Sequence, residues 1–187
     1  MIRTLALLAL AALPAWAAAQ NLQVDPARSE IVFVSKQMGV PVDGRFRTFR
    51  AELFFDPKKP ETGKARIDIE VGSIDAGSPD ADAEVRKKAW FDVARFAQAS
   101  FASTAVKALP GGGFEVTGQM TIKGKSRTVT APFTVKPAGA GQLFEGTFVI
   151  KRLDFDIGTG PWSDTDTVAN EVQVRFKLLA QPTAAAK

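Results

Sequence analysis

The sequence predicts an all-β fold, an antiparallel barrel of about eight strands with one short helix over residues 79–89. Two observations lead there. Apolar and polar residues alternate with period two in one segment after another, and glycine-rich turn signals separate those segments. Only one stretch carries a helical start signal.

Ile31 to Ser35 opens the series and is apolar on both faces. From Arg45 to Phe55 the alternation slips. Phe46 and Thr48 share one face, then Phe49, Ala51, Leu53 and Phe55 take it over. A slip of this kind predicts a bulge or a strong bend. Ala65, Ile67, Ile69 and Val71 alternate cleanly with Lys64, Arg66, Asp68 and Glu70.

Next comes the helical signal. Ser78 can cap a helix with Pro79 in its first position. Asp80, Asp82 and Glu84 come early and Arg86, Lys87 and Lys88 late, the order that complements a helix dipole. Asp82 with Arg86, and Glu84 with Lys88, have i,i+4 spacing.

Ala99 to Val106 resumes the strands. Phe114, Val116, Gly118, Met120 and Ile122 form one face of the next, and Val129, Ala131, Phe133 and Val135 one face of its successor. Gly124-Lys125 between these two is a compact hairpin signal. Gly111-Gly112-Gly113 and Gly139-Ala140-Gly141 mark further turns. Phe144 to Ile150, then Val172, Val174, Phe176 and Leu178, complete eight segments, and the tail from Gln181 to Lys187 reads as frayed. Eight strands closing on themselves enclose room for one small ligand and leave no exposed edge. A two-sheet sandwich is the alternative, and strand patterns alone do not separate the two.

The N-terminus reads as an address. Arg3 precedes an apolar run from Leu5 to Trp16, and Ala17, Ala18 and Ala19 follow. That order predicts a secretory signal peptide over residues 1–19, cleaved before Gln20. The run is too short for a membrane span, which needs about 20 residues. Removing 19 of 187 residues leaves 168, and residues 20–187 read as a single domain. The expected location is the periplasm.

The chain has 24 basic and 20 acidic side chains, interspersed, a net charge of +4. It lacks the basic stripe that nucleic-acid binding requires. It also lacks histidine, cysteine and tyrosine altogether. Ser-His and Cys-His nucleophiles and the usual zinc sites are therefore excluded. Fourteen phenylalanines without one tyrosine suit a dry interior, either a filled core or an apolar cavity.

Other clusters are weaker. Asp154, Asp156, Asp164 and Asp166 are oxygen ligands of the kind Ca²⁺ takes, but without EF-hand spacing, and solvated loop carboxylates are the simpler reading. Lys36, Arg45 and Arg47 would form a basic cluster if the first two strands pair. Gly158-Thr159-Gly160-Pro161 lacks the lysine and length of a phosphate loop and reads as a turn.

Several runs together resemble the YceI family. Val24-Asp25-Pro26-Ala27-Arg28-Ser29 followed by Ile31-Val32-Phe33 is similar to its opening strand. Gly44-Arg45-Phe46 with Phe49, Phe55-Asp56-Pro57, Ser73-Ile74-Asp75-Ala76-Gly77, Asp82 and Trp90-Phe91-Asp92-Val93 follow at the family's spacing. Phe101 stands in the family's next strand. Val116-Thr117-Gly118 with Thr121-Ile122-Lys123-Gly124 resembles its central hairpin. Arg152, Asp154-Phe155 and Ile157-Gly158 resemble its late strand. The likeness extends over most of Leu22 to Leu179. Arg28 and Glu84 stand where the family usually carries histidine, and Ala97 where proline is common.

The resemblance implies a lipocalin-like barrel with a helix against it, exported, non-catalytic and needing no cofactor. It implies as ligand a long isoprenoid chain, the tail of a quinone or a polyprenyl lipid, and as partner a membrane b-type cytochrome. A stress or interaction module with a filled core, monomer or dimer, and a carboxylate-dependent enzyme are the other classes. The apolar strand faces place Phe33, Ile67, Ile69, Phe101, Val116, Met120, Val129 and Phe133 against the ligand. Phe46, Trp90 and Phe91 join them as candidate binding residues. Trp90 is expected at the border of a wet rim and a dry interior, and Trp162 apart from it in an acidic turn.

Overall fold

The computed structural model describes residues 20–183. The expected leader at residues 1–19 lies outside the described residues. Among the described residues eleven strands are present: β1 (Gln20–Val24), β2 (Glu30–Gln37), β3 (Val40–Phe46), β4 (Phe49–Phe55), β5 (Lys64–Glu70), β6 (Ile74–Asp75), β7 (Gln98–Ala108), β8 (Phe114–Ile122), β9 (Lys125–Ala138), β10 (Gly141–Lys151) and β11 (Glu171–Pro182). They form one antiparallel sheet that closes where β1 bonds to β11.

Three pairs of strands act as single bent staves, which reduces eleven strands to eight. β11 runs alongside both β1 and β2, with Val24 opposite Ala180 and Phe33 opposite Val174. The 3₁₀ turn Pro26–Arg28 interrupts that stave, capped by Asp25, whose carboxylate accepts from the Ala27 N–H at 3.0 Å. β3 and β4 form the next stave, broken at Arg47-Thr48 where the alternation slips. The two-residue break lets both Phe46 and Phe49 point toward the core. β5 and β6 form the third. Each stave bonds to its successor and the last to the first, so the closed barrel is an up-and-down barrel, not a sandwich.

Two details differ from the sequence reading. The β8–β9 turn is Lys123-Gly124, with φ of +50° and +72°, the left-handed pair that a two-residue hairpin needs. Gln181 and Pro182 are paired in β11, with Pro182 opposite Leu22, and Thr183 donates to the Asn21 carbonyl at 3.0 Å. They are anchored because β1 offers them an edge.

The bottom of the barrel is plugged by aromatic rings. Phe55 meets Phe114 at 4.9 Å, Phe144 at 5.5 Å and Phe133 at 5.9 Å between centroids, all near edge-to-face. Such pairs add about 0.5–1.5 kcal/mol each beyond area burial. The top is covered by a cap with a small core of its own: Val71, Trp90, Ala99, Ile122, Phe155, Ile157 and Val168.

The cap contains the single α-helix among the described residues, α1 (Pro79–Val85), shorter than the expected 79–89. Ser78 caps it as expected, accepting from the Ala81 N–H at 3.2 Å. It stops because the chain folds back: Phe91 N–H bonds to the Val85 carbonyl and Val93 N–H to that of Arg86. This reversal buries Trp90, a larger gain than one more exposed turn of helix. The i,i+4 pairs do not form. Asp82 accepts instead from the Ala76 N–H at 2.6 Å, and Glu84 pairs with Lys87 at 2.5 Å. Among the described residues no helix is long and apolar enough to cross a membrane.

One part of the wall is open. β9 bonds to β10 only between Phe133–Ala138 and Gly141–Gly146. Above that, β9 is bonded to β8 alone and β10 to β11 alone. The two strands diverge toward the cap and leave a lateral seam.

Candidate functional site: an apolar cavity in the barrel

Alternation sends every second side chain of each stave inward. Between the aromatic plug and the cap these side chains do not meet. They leave a cavity of about 120 Å³, counted as space open to the centre of a water molecule. Of its twenty lining residues nineteen are apolar. The exception, Lys64, begins β5 opposite Phe54.

Shape follows from the strands. Val116 to Met120 on β8 advance about 13 Å at ~3.3 Å per residue. A cavity of this volume along such a length is about one hydrocarbon chain wide. Its wall is apolar apart from Lys64, so the space suits an apolar chain.

Seven of the eleven expected residues line it: Ile67, Ile69, Phe101, Val116, Met120, Val129 and Phe133. They converge because β5, β7, β8 and β9 are consecutive staves with the same inward phase; Ile67 lies opposite Phe101, and Phe101 opposite Met120. Ile69 and Met120 also pack against the cap core, so they form the cavity's upper end.

The other four do not line it. Phe33 lies over Gly44, where an added Cβ would sit 2.2 Å from the ring. Phe46 stacks between Phe33, at 5.6 Å, and Phe91, at 6.1 Å. Phe91 and Trp90 belong to the cap. Phe46 packs against the barrel core and touches Phe91, but does not line the cavity. Trp90 is buried rather than at a wet border, at 8% exposure. Its ring lies 5.4 Å from that of Trp162, so the two indoles are one pair and not separate reporters.

Residues that the sequence reading left out complete the wall. Phe144 and Phe148 on β10, and Val174, Phe176 and Leu178 on β11, face the cavity in the same alternating phase. That phase is visible in the sequence. What it does not show is that these strands stand across the barrel from β5 and β7.

The cap is organised by Arg152, whose side chain is 2% exposed. All five of its N–H groups donate to backbone carbonyls: Nε to Ala169 at 3.1 Å, Nη1 to Ile157 at 2.8 Å and Gly158 at 2.9 Å, Nη2 to Trp162 at 2.8 Å and Val168 at 2.7 Å. The guanidinium lies 5.9 Å from the centroid of the Trp90 ring. Burial lowers its pKa from the ordinary value, yet arginine stays charged in proteins. No carboxylate is needed, because carbonyl dipoles of Ile157 and Gly158, of Trp162 in the 3₁₀ turn Gly160–Ser163, and of Val168 and Ala169 in the loop after it surround the charge.

The acidic and basic clusters resolve into local contacts. Asp164 accepts from the Asp166 N–H at 2.9 Å and the Thr167 hydroxyl at 2.8 Å, which hold its pKa below the ordinary value. Asp156 pairs with Lys125 at 3.2 Å. Among the described residues no three carboxylates gather as a metal site. Arg45 and Arg47 do not join Lys36; both bind Asp75, at 3.0 and 2.9 Å. The Arg47 hydrogen bond, then the Gly77 N–H, hold the Asp75 carboxyl at about 2.

Comparison with known proteins agrees with this architecture. The YceI-like domain family matches residues 22–180. The crystal structure of Burkholderia cenocepacia BcnA is 48% identical and superposes with a TM-score of 0.81 over 84% of this chain and 99% of that one. A polyisoprenoid binding domain from Saccharophagus degradans, implicated in plant cell wall breakdown, shares the fold at 16% identity and a TM-score of 0.69, over 88% and 99% of the two chains. A UPF0312 protein of Vibrio parahaemolyticus is 32% identical over 78% of this chain and 82% of its own length.

Proposed function

Since the chain belongs to the YceI-like family, we propose that it carries a long isoprenoid chain inside its barrel, without catalysis. The observation that carries this reading is the cavity: nineteen apolar residues and one lysine around a space one chain wide. Each methylene moved from water into such a site gains about 0.8 kcal/mol, so a few prenyl units suffice for micromolar binding. Met120 in the wall lets the cavity adjust to methyl branches. The Saccharophagus domain, with the same fold, is a polyisoprenoid binder.

An isoprenoid quinone or a polyprenyl lipid is the cargo this reading favours, with a membrane b-type cytochrome as the exchange partner for a quinone. Arg3, the apolar run and the alanine triplet support export to the periplasm with cleavage after Ala19. Intact mass of the exported chain tests the leader, since a mass that includes residues 1–19 contradicts it. Organic extraction of freshly purified protein followed by mass spectrometry tests the cargo. An isoprenoid at near-stoichiometric amount is expected, and an empty extract from protein expressed in its native compartment argues for a filled-core module.

A further inference from the structure

The β2–β3 hairpin projects an apolar tip that the rest of the molecule leaves bare. Among the described residues three large apolar side chains stand exposed, and two of them, Met38 at 79% and Val40 at 62%, share this tip. Pro41 beside them is exposed as well. Val40 continues the alternating phase of Val42, Gly44 and Phe46, and Phe46 packs on the barrel core. The apolar face of β3 therefore runs on past the core that would cover it.

The tip is held in place. Met38 and Gly39, with φ of +47° and +80°, form the left-handed pair of a two-residue turn, and Gln37 stands opposite Val40. The Met38 N–H donates to the Thr167 carbonyl at 2.9 Å, and the Ala169 N–H to the Lys36 carbonyl at 2.9 Å. The cap loop thus fixes the hairpin from one side, so presenting Met38 and Val40 to a partner costs little ordering.

Size and charge select the partner. Two side chains and a proline offer at most a few hundred Å², well short of the about 800 Å² that each side of a stable protein interface brings. A bilayer asks for no complementary shape, and a few apolar groups entering its headgroup layer suffice for reversible contact. Lys36 is the one charged residue between Ile31 and Val42, and it is exposed. Its stem can lie along such a surface with the ammonium in water. Asp164 and Asp166 stand on the adjoining loop, where the Asp164 carboxylate accepts from the Asp166 N–H and the Thr167 hydroxyl. One cation beside two carboxylates makes no positive field for anionic lipid, which favours a zwitterionic surface.

We propose that the tip at Met38 and Val40 is a peripheral docking point for a zwitterionic phospholipid surface. The proposal does not depend on what the barrel carries. The chain has no cysteine, so a single one can report on one position. Purified Met38→Cys, labelled with a nitrobenzoxadiazole dye, is titrated with phosphatidylcholine vesicles beside Val149→Cys, the remaining exposed apolar position.

Dye emission at position 38 should rise about twofold or more as the probe leaves water, with little dependence on salt, and emission at position 149 should stay flat. Adding Val40→Ser to the labelled Met38→Cys should weaken the vesicle titration about fivefold, with circular dichroism unchanged. No rise at position 38 overturns the proposal, and so does an equal rise at both positions or a titration indifferent to Val40→Ser. A rise that needs phosphatidylglycerol and fades with salt overturns it in favour of contact through basic residues. A rise without vesicles that grows with protein concentration overturns it in favour of a contact between copies of the chain.

Discussion

Arg152 offers a quantitative test of how the cap is held over the cavity. Its five N–H groups satisfy five backbone carbonyls, and the bonds to Ile157, Gly158 and Val168 are fully buried. Lysine at this position has only three donors, on one atom rather than a planar fork. At least two carbonyls would lose their donor, each at about 1–3 kcal/mol when buried. Those at the cap's surface can recruit water, so Arg152→Lys should cost about 2–4 kcal/mol. Arg152→Met removes a desolvated charge but orphans all five carbonyls, and should cost about 3–5 kcal/mol. Against a total of roughly 5–15 kcal/mol this is a large loss. Urea unfolding followed by indole emission reads it, because Trp90 and Trp162 both sit in the cap. With a slope of about 2 kcal/mol per molar, the midpoint of the lysine variant should fall by about 1–2 M. A methionine variant within about 0.5 kcal/mol of the parent would refute the reasoning, since the carbonyls would then be indifferent to the guanidinium.

Three further outcomes follow. Gly158 has φ of +74°, and a Cβ there would stand 2.4 Å from Arg152 Nη1 and 3.1 Å from the Trp90 ring. Gly158→Ala should therefore lower the melting temperature through both strain and displacement of Arg152, whereas Gly160→Ala, with a similar φ but open space around it, should lower it less. Asp75, held at about 2 by Arg47 and the Gly77 N–H against an ordinary 3.8, stabilises the fold above pH 3.8 and loses that contribution as pH falls through 2. Acid unfolding of Asp75→Asn should show a shallower pH dependence between about 4 and 2, and an unchanged profile counts against the assignment. Uptake of a neutral prenyl alcohol should be flat between about pH 5.5 and 8, because the chain has no histidine to titrate there. A steep change in affinity in that range would point to a shifted carboxylate at the cavity.

The barrel was legible because its wall is written in period-two alternation. Eight segments became eight staves, and the slip between Arg45 and Phe55 became the break that divides β3 from β4. The inward phase of β5, β7, β8 and β9 also followed from sequence, which is why seven of the residues named there line the cavity. The cap was not legible in the same way. Arg152 reads as one more basic residue because its partners are carbonyls, which every residue has. Trp90 and Trp162 are 72 positions apart and meet only through the fold. The length of α1 was overestimated because charge order favours a longer helix, while burial of Trp90 favours turning back. The seam depends on where two strands cease to bond, a property of barrel curvature that alternation does not encode.

The central claim is that an apolar chain occupies the barrel interior, and it is tested most directly by filling that interior. Val116 and Val129 both line the cavity on adjacent strands, with Gly118 opposite Val129 and Ala131 opposite Val116. In Val116→Phe/Val129→Phe two rings would occupy the space without introducing charge, at a cost lessened by the void they enter. Native mass spectrometry of the purified protein with geranylgeraniol should show one bound molecule per parent chain. The filled variant, with an unchanged urea midpoint within about 1 kcal/mol, should bind at least tenfold less. Equal uptake by both proteins, or none by the parent, would contradict an isoprenoid chain in the barrel.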